Sequence, residues 1–183
     1  MLPFESCKLK LLDENDLEKV LKWRNSENVR TNMFTDHLIT MEEHLFWYKK
    51  TTNEQSNKCM LFEYEEIPIG LVQLTNIDEH NSRCYWGFYI GDKNAPKGSG
   101  LAMGYLALEY IFEELKVRKL CSEVLAFNKV SIEYQKKLGF SVEGYLKEHI
   151  LRNKVFEDIV LLALFQKEWH DIKDALLTKC FGG

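Results

Sequence analysis

The chain has little that would break or staple it. It carries 3 prolines and 10 glycines in 183 residues, standing singly at joints, and it has no internal repeat, linker or low-complexity stretch. That excludes a collagen-like fibre and a disordered tail. Cys7, Cys59, Cys84, Cys121 and Cys180 are odd in number and widely spaced, with no CxxC pair. Neither a disulfide framework nor a cysteine zinc site is suggested, and no metal is expected; reduced thiols in a cytoplasmic protein are. Basic charge is also short: 24 Lys and Arg against 28 Asp and Glu leave a net charge of −4, which argues against a nucleic-acid partner. The longest apolar run, Ile159 to Phe165, falls far below the ~20 residues of a membrane helix. The first residues lack a charged-then-apolar leader. A soluble chain with no membrane partner is expected.

What is present reads as one globular α/β domain over residues 1–183. Apolar residues are 45%, charged residues 28% and aromatics 13%, enough to bury a core without staples. Lys8–Leu12 reads as a strand, and Asp13 as the cap of a helix through about Asn25 whose face holds Leu17, Val20, Leu21 and Arg24. Thr40 and Glu43 form a capping box for a second helix. Lys58–Tyr64, Pro68–Ile77 and the aromatic Arg83–Gly91 read as strands. The loop Ala95-Pro96-Lys97-Gly98-Ser99-Gly100 opens a helix through Leu101, Tyr105, Leu108, Phe112 and Leu115. After the strand Leu120–Phe127, Asn128 caps a helix that ends at Gly139, with Val130, Tyr134 and Leu138 on one face. Val142–Leu151 and Val155–Phe165 form a hairpin turned by Arg152-Asn153-Lys154, and a last helix covers Trp169 to Thr178. The glycine loop, its helix and the flanking strands form a βαβ unit in an otherwise largely antiparallel sheet.

Glycines before a helix let backbone N–H groups face an anion, with the helix dipole in support. The loop is neither a Walker loop nor GxGxxG, since Met103 fills the last slot and Gly104 lies one further on; a tight turn without ligand has the same look. Downstream, Asn128 ends a strand where its side chain can bond a ligand amide. Tyr134 sits six residues on, as a core tyrosine or a proton donor.

The loop Ala95 to Gly100 and the stretch Asn128 to Phe140, in order and with matching elements from about Lys8 to Phe165, resemble the GNAT acetyltransferase superfamily. The resemblance implies a mixed central sheet, splayed at the cofactor site and flanked by helices, with acetyl-CoA as co-substrate. It places the pyrophosphate on Lys97, Gly98, Ser99, Gly100, Leu101 and Ala102. It places the pantetheine along Phe88, Tyr89 and Ile90, with Asn128 and Ser131 beside it, and makes Tyr134 the proton donor to the leaving thiolate. Ala95 and Ser131 depart from the family's usual Gln or Arg and Ala. A possible homodimer is a family expectation.

The N-terminal part speaks to the acceptor. Arg24 on an apolar face is a buried ion pair, a snorkelling side chain or an anion ligand. Met33, Phe34 and Trp47 are core aromatics and sulfur, or clamp a planar base, and His44 can bond a phosphate. The pattern Leu21-Lys22-Trp23-Arg24-Asn25, Val29-Arg30, Met33-Phe34, Ile39-Thr40, Glu43-His44 and Trp47 resembles the PseH branch of the family. That branch acetylates the 4-amino group of a UDP-linked 4,6-dideoxy amino sugar in pseudaminic acid biosynthesis. By that likeness Arg24, Met33, Phe34, His44 and Trp47 lie on the acceptor side, and Asn76, Tyr85 and Tyr89 face the sugar. Glu123 is the best candidate base, or else an edge carboxylate paired with a lysine. The rival readings are a protein N-terminal or polyamine-like acetyltransferase, and a non-catalytic acetyl-CoA-binding module.

Overall fold

A computed structural model describes residues 1–182. Seven strands form one mixed sheet in the order β1-β2-β3-β4-β5-β7-β6. They are β1 (Cys7–Leu11), β2 (Lys58–Tyr64), β3 (Ile67–Asp78), β4 (Arg83–Ile90), β5 (Lys119–Leu125), β6 (Ser141–Arg152) and β7 (Val155–Phe165). The helices are α1 (Leu17–Asn25), α2 (Glu27–Arg30), α3 (Met41–Asn53), α4 (Ser99–Glu109), α5 (Lys129–Lys137) and α6 (Gln166–Phe181). Only β4 and β5 pair in parallel, as expected of strands joined through a helix.

The two sheet faces carry separate cores because side chains alternate along each strand. Cys84 and Trp86 join the larger core with Met103, Leu108, Phe112, Ile132, Leu138 and Trp169 from α4 to α6. Tyr89, on the opposite face, packs with Leu17, Val20 and Trp23 of α1 and Trp47 of α3. The sheet is thus a partition: α4, α5 and α6 cover one side, α1 to α3 the other.

Local chemistry explains most element ends. Thr40 and Glu43 form the capping box at α3 in both directions, and the Asn128 side chain accepts from Ser131 N at α5. Gly139 ends α5 with φ +97°, as a C′ glycine does. The Asp13 side chain accepts from Asn15 N and caps a 3₁₀ turn at Glu14–Asp16, so α1 itself begins only at Leu17. α4 passes into a π turn at Tyr110–Glu114, which the even apolar spacing through Leu115 conceals. α6 runs longer than the apolar pattern indicates, from Gln166 to Phe181. Val130 is exposed, so the buried face of α5 is Ile132, Gln135 and Leu138 with Tyr134 packed beside them.

Candidate active site

The site begins where the sheet opens. β4 and β5 pair only at Arg83, Cys84 and Tyr85 against Lys119, Leu120 and Cys121. Beyond that point Trp86–Ile90 stays with β3 and Ser122–Leu125 stays with β7. No strand among the described residues takes the vacated edge of β4, so its main-chain groups face a cleft of about 1230 Å³. Trp86, Gly87, Phe88, Tyr89 and Ile90 line one wall, and Ser122, Glu123, Val124 and Leu125 the other.

α5 brings Asn128, Ser131, Tyr134 and Gln135 into the same cleft. The Asn128 oxygen is taken by the helix cap, which leaves its amide nitrogen as the donor for a ligand. The Tyr134 hydroxyl donates to Gly100 O at 2.6 Å, and its ring lies against Phe88 at a centroid separation of 5.0 Å. Burial pushes the phenol well above its ordinary pKa, so at neutral pH it holds its proton. A Cβ at Gly104 would collide with the Tyr134 hydroxyl and with Leu138; this glycine lets α4 and α5 approach.

The glycine loop adjoins the cleft through that Tyr134 bond and does not line it. Gly98 sits at the N-cap of α4 with φ +102°, a left-handed conformation suited to glycine. Two of the six predicted loop residues turn inward. Ser99 is buried, its N–H and hydroxyl both donating to Pro96 O, and the Ala102 N–H bonds Gly98 O. The N–H groups left for an anion are those of Lys97, Gly98, Gly100 and Leu101.

The predicted acceptor residues converge on the other face. Arg24, Met33, Phe34, Asn76, Tyr85 and Glu123 line the large cleft. A second cavity of about 320 Å³ is lined by Arg24, Met33, His44, Trp47 and Tyr89 among others. Arg24, Met33, Thr35, Gly87, Phe88 and Tyr89 border both. Register puts Glu123 on this face: Tyr85 pairs with Cys121, and Glu123 lies two residues on. It is exposed in the wall. Tyr89, expected both along the cofactor and facing the sugar, turns its side chain to the acceptor core. Asn76 interrupts the β3–β4 register with φ 50°, a conformation Asn tolerates.

Among the described residues Arg24 has no ion-pair partner. Its Nη2 donates to Thr35 O at 2.6 Å, and its Nη1 is buried without a partner. Burial pulls its pKa down, and the Arg30 and Arg152 cations add to this. His44 is buried and stacks on Trp47 at 5.0 Å. Burial lowers its pKa, the Leu17 carbonyl opposes this, and Arg24 adds to it. It is therefore a neutral imidazole, without the cationic charge a phosphate contact would draw on.

Some neighbours escape sequence reasoning. Gln135 is 1% exposed, accepts from Trp86 Nε1 and donates to Ser131 Oγ; nothing local marks a glutamine as buried. Arg152, read as a turn residue, is the last residue of β6 and is buried. Among the described residues no group of three or more His, Cys, Asp or Glu is placed to hold a metal, and no helix is long and apolar enough to cross a membrane.

Residues 8–141 match the family model described as an acetyltransferase (GNAT) domain. The chain belongs to the GNAT acetyltransferase family. It is an acetyl-CoA-dependent N-acetyltransferase, with the splayed mixed sheet of that family. It is 29% identical over 164 residues to the spermidine N(1)-acetyltransferase of Escherichia coli K12, covering 90% of this chain and 88% of the relative. It is 30% identical over 131 residues to acetyltransferase PseH of Campylobacter jejuni, covering 72% of this chain and 80% of the relative. The Vibrio cholerae spermidine N-acetyltransferase, solved with CoA and spermine, superposes with a TM-score of 0.83 at 22% identity, covering 91% of this chain and 99% of that one.

Proposed function

We propose that the GNAT enzyme transfers the acetyl group to the 4-amino group of a UDP-linked amino-deoxy sugar. The observation that carries this reading is Arg24. Its guanidinium borders both cavities, meets no carboxylate within ion-pairing distance among the described residues, and has Arg30 and Arg152 within electrostatic range. Three half-buried to buried guanidiniums with one nearby carboxylate, Asp36 beside Arg152, leave a net positive charge that favours an anionic group such as a diphosphate and opposes a polycation. Met33, Trp47 and Tyr89 supply an apolar recess beside it. The likeness to PseH adds support.

A polyamine acceptor is the second reading, favoured by the E. coli and V. cholerae relatives. The cleft's own carboxylates weaken it. Asp78 is tied to Asn81 and Arg83, and Glu43 of the smaller cavity to Thr40 and His37. That leaves Glu123 to meet several ammonium groups.

In the proposed reaction the neutral amine attacks the thioester carbon, and the exposed edge of β4 near Phe88–Ile90 offers N–H groups to the developing oxyanion. As the carbon–sulfur bond breaks, Tyr134 gives its proton to sulfur. The proton lost by nitrogen passes to Glu123 or to water. Most of the rate comes from holding both substrates in one cleft. Thermal shift of the CoA-bound protein tests the acceptor class: UDP should raise Tm, spermine should not, and Arg24→Ala should abolish the UDP effect. Stabilisation by spermine alone would favour the polyamine reading.

A further inference from the structure

Residues 31–36, between α2 and α3, carry Met33, Phe34 and Thr35 into the acceptor walls. Three arginines from three elements each grip a main-chain carbonyl of this loop. Arg24 of α1 donates to Thr35 O at 2.6 Å, Arg30 of α2 to Asp36 O at 2.6 Å, and Arg152 of β6 to Thr31 O at 3.0 Å. Arg152 arrives from 121 positions away. It is 7% exposed, its Nη2 lies 3.8 Å from the Asp36 carboxylate, and its guanidinium stands 5.4 Å over the Phe127 ring.

The grip costs more than simple adhesion needs. Among the described residues Asp36, beside Arg152, is the one carboxylate within ion-pairing distance of any of the three guanidiniums, and each guanidinium keeps a buried nitrogen without a partner. An apolar side chain would hold a hairpin against a loop at a smaller desolvation cost. What a guanidinium adds is direction: planar, fixed N–H vectors that set where a carbonyl stands. We propose that Arg152 is a positioning residue for the acceptor, acting through loop 31–36, so that the C-terminal hairpin sets the geometry of an acceptor wall built from the N-terminal half. The inference goes beyond the choice of acceptor and holds for a nucleotide sugar and a polyamine alike.

The test uses the full chain saturated with CoA. In Arg152→Ala, the amides of residues 31–36 should exchange with solvent roughly tenfold faster or more, while those of α4 and α5 stay as in wild type. In Arg152→Lys, which keeps the charge and loses the planar fork, the acceptor KM should rise about tenfold while kcat and the acetyl-CoA KM stay within roughly twofold. The acceptors used are a UDP-linked 4-amino sugar and spermidine, and the one that wild type turns over is read. Loop amides that exchange as in wild type would overturn the proposal, and so would both KM values rising together. If neither amine is turned over, the exchange result decides alone.

Discussion

The Tyr134 hydroxyl is held in two ways: it donates to Gly100 O, and Gly104 leaves it room. Tyr134→Phe keeps the ring against Phe88 and removes only the hydroxyl, with its bond to Gly100 O. We expect kcat to fall by about 10²-fold, the low end of general acid catalysis because a CoA thiolate is a fair leaving group. The acetyl-CoA KM should be unchanged, and saturating thiol-release assays read both; wild-type kcat would demote the residue to packing. Gly104→Ala drives a methyl into that hydroxyl and Leu138, and overpacking of this kind costs about 1–3 kcal/mol. Denaturant melts should show the loss, with kcat falling as Tyr134 is displaced. His44 gives the pH dependence. Its folded pKa lies below the ordinary 6.5, so the unfolded chain takes up the proton first as pH falls. Stability therefore declines below about pH 6.5 until the folded histidine also protonates. Tm measured from pH 7.5 to 5 should fall more steeply in wild type than in His44→Phe, and parallel curves would remove His44 as the cause.

At the scale of elements, β4 decides the site. Its alternation was legible: Trp86 and Phe88 face one core, Tyr85 and Tyr89 the other face. Its parting from β5 was not, since a strand that loses a neighbour keeps the same side-chain pattern; only the resemblance to the family supplied the splay. Gly87 marks the point between the two cavities, and a Cβ there would meet nothing within 4 Å. Gly87→Leu should thus leave the fold and CoA binding intact while filling acceptor space. Tm should hold, because replacing glycine also restricts the unfolded chain, and the acceptor KM should rise about tenfold or more. A clear loss of Tm would show that the space is not open. Caps and turns were the most legible features, Thr40 with Glu43 and Asn128 with Gly139, because their chemistry lies within a few residues. The π turn after Glu109 and the short α2 carry no such local mark.

Across the whole molecule, the sheet separates the tasks. α4 and α5 hold the glycine loop and Tyr134 on one face, and α1 to α3 hold Arg24 and the aromatic recess on the other. The cleft between β4 and β5 joins them. Of the residues expected on the two sides, Phe88, Asn128, Ser131 and Tyr134 line that cleft with Arg24, Met33, Phe34, Asn76, Tyr85 and Glu123, while the glycine loop, His44 and Trp47 do not; helix caps and glycine positions were legible because they are local signals. The arginine grip on loop 31–36 was hidden, since it depends on a contact 121 residues apart that no window of sequence spans. Under the proposed function this partition brings acetyl-CoA to an amine tethered to an anion. The most direct measure of this is kcat/KM for a UDP-linked 4-amino sugar against spermidine, in wild type and in Arg24→Ala. The expected result is a preference for the nucleotide sugar of roughly 10²-fold or more, as where a fixed charge meets its partner in one acceptor and a like charge in the other. Arg24→Ala should largely erase it. An equal or greater kcat/KM for spermidine in wild type would overturn the nucleotide-sugar acceptor.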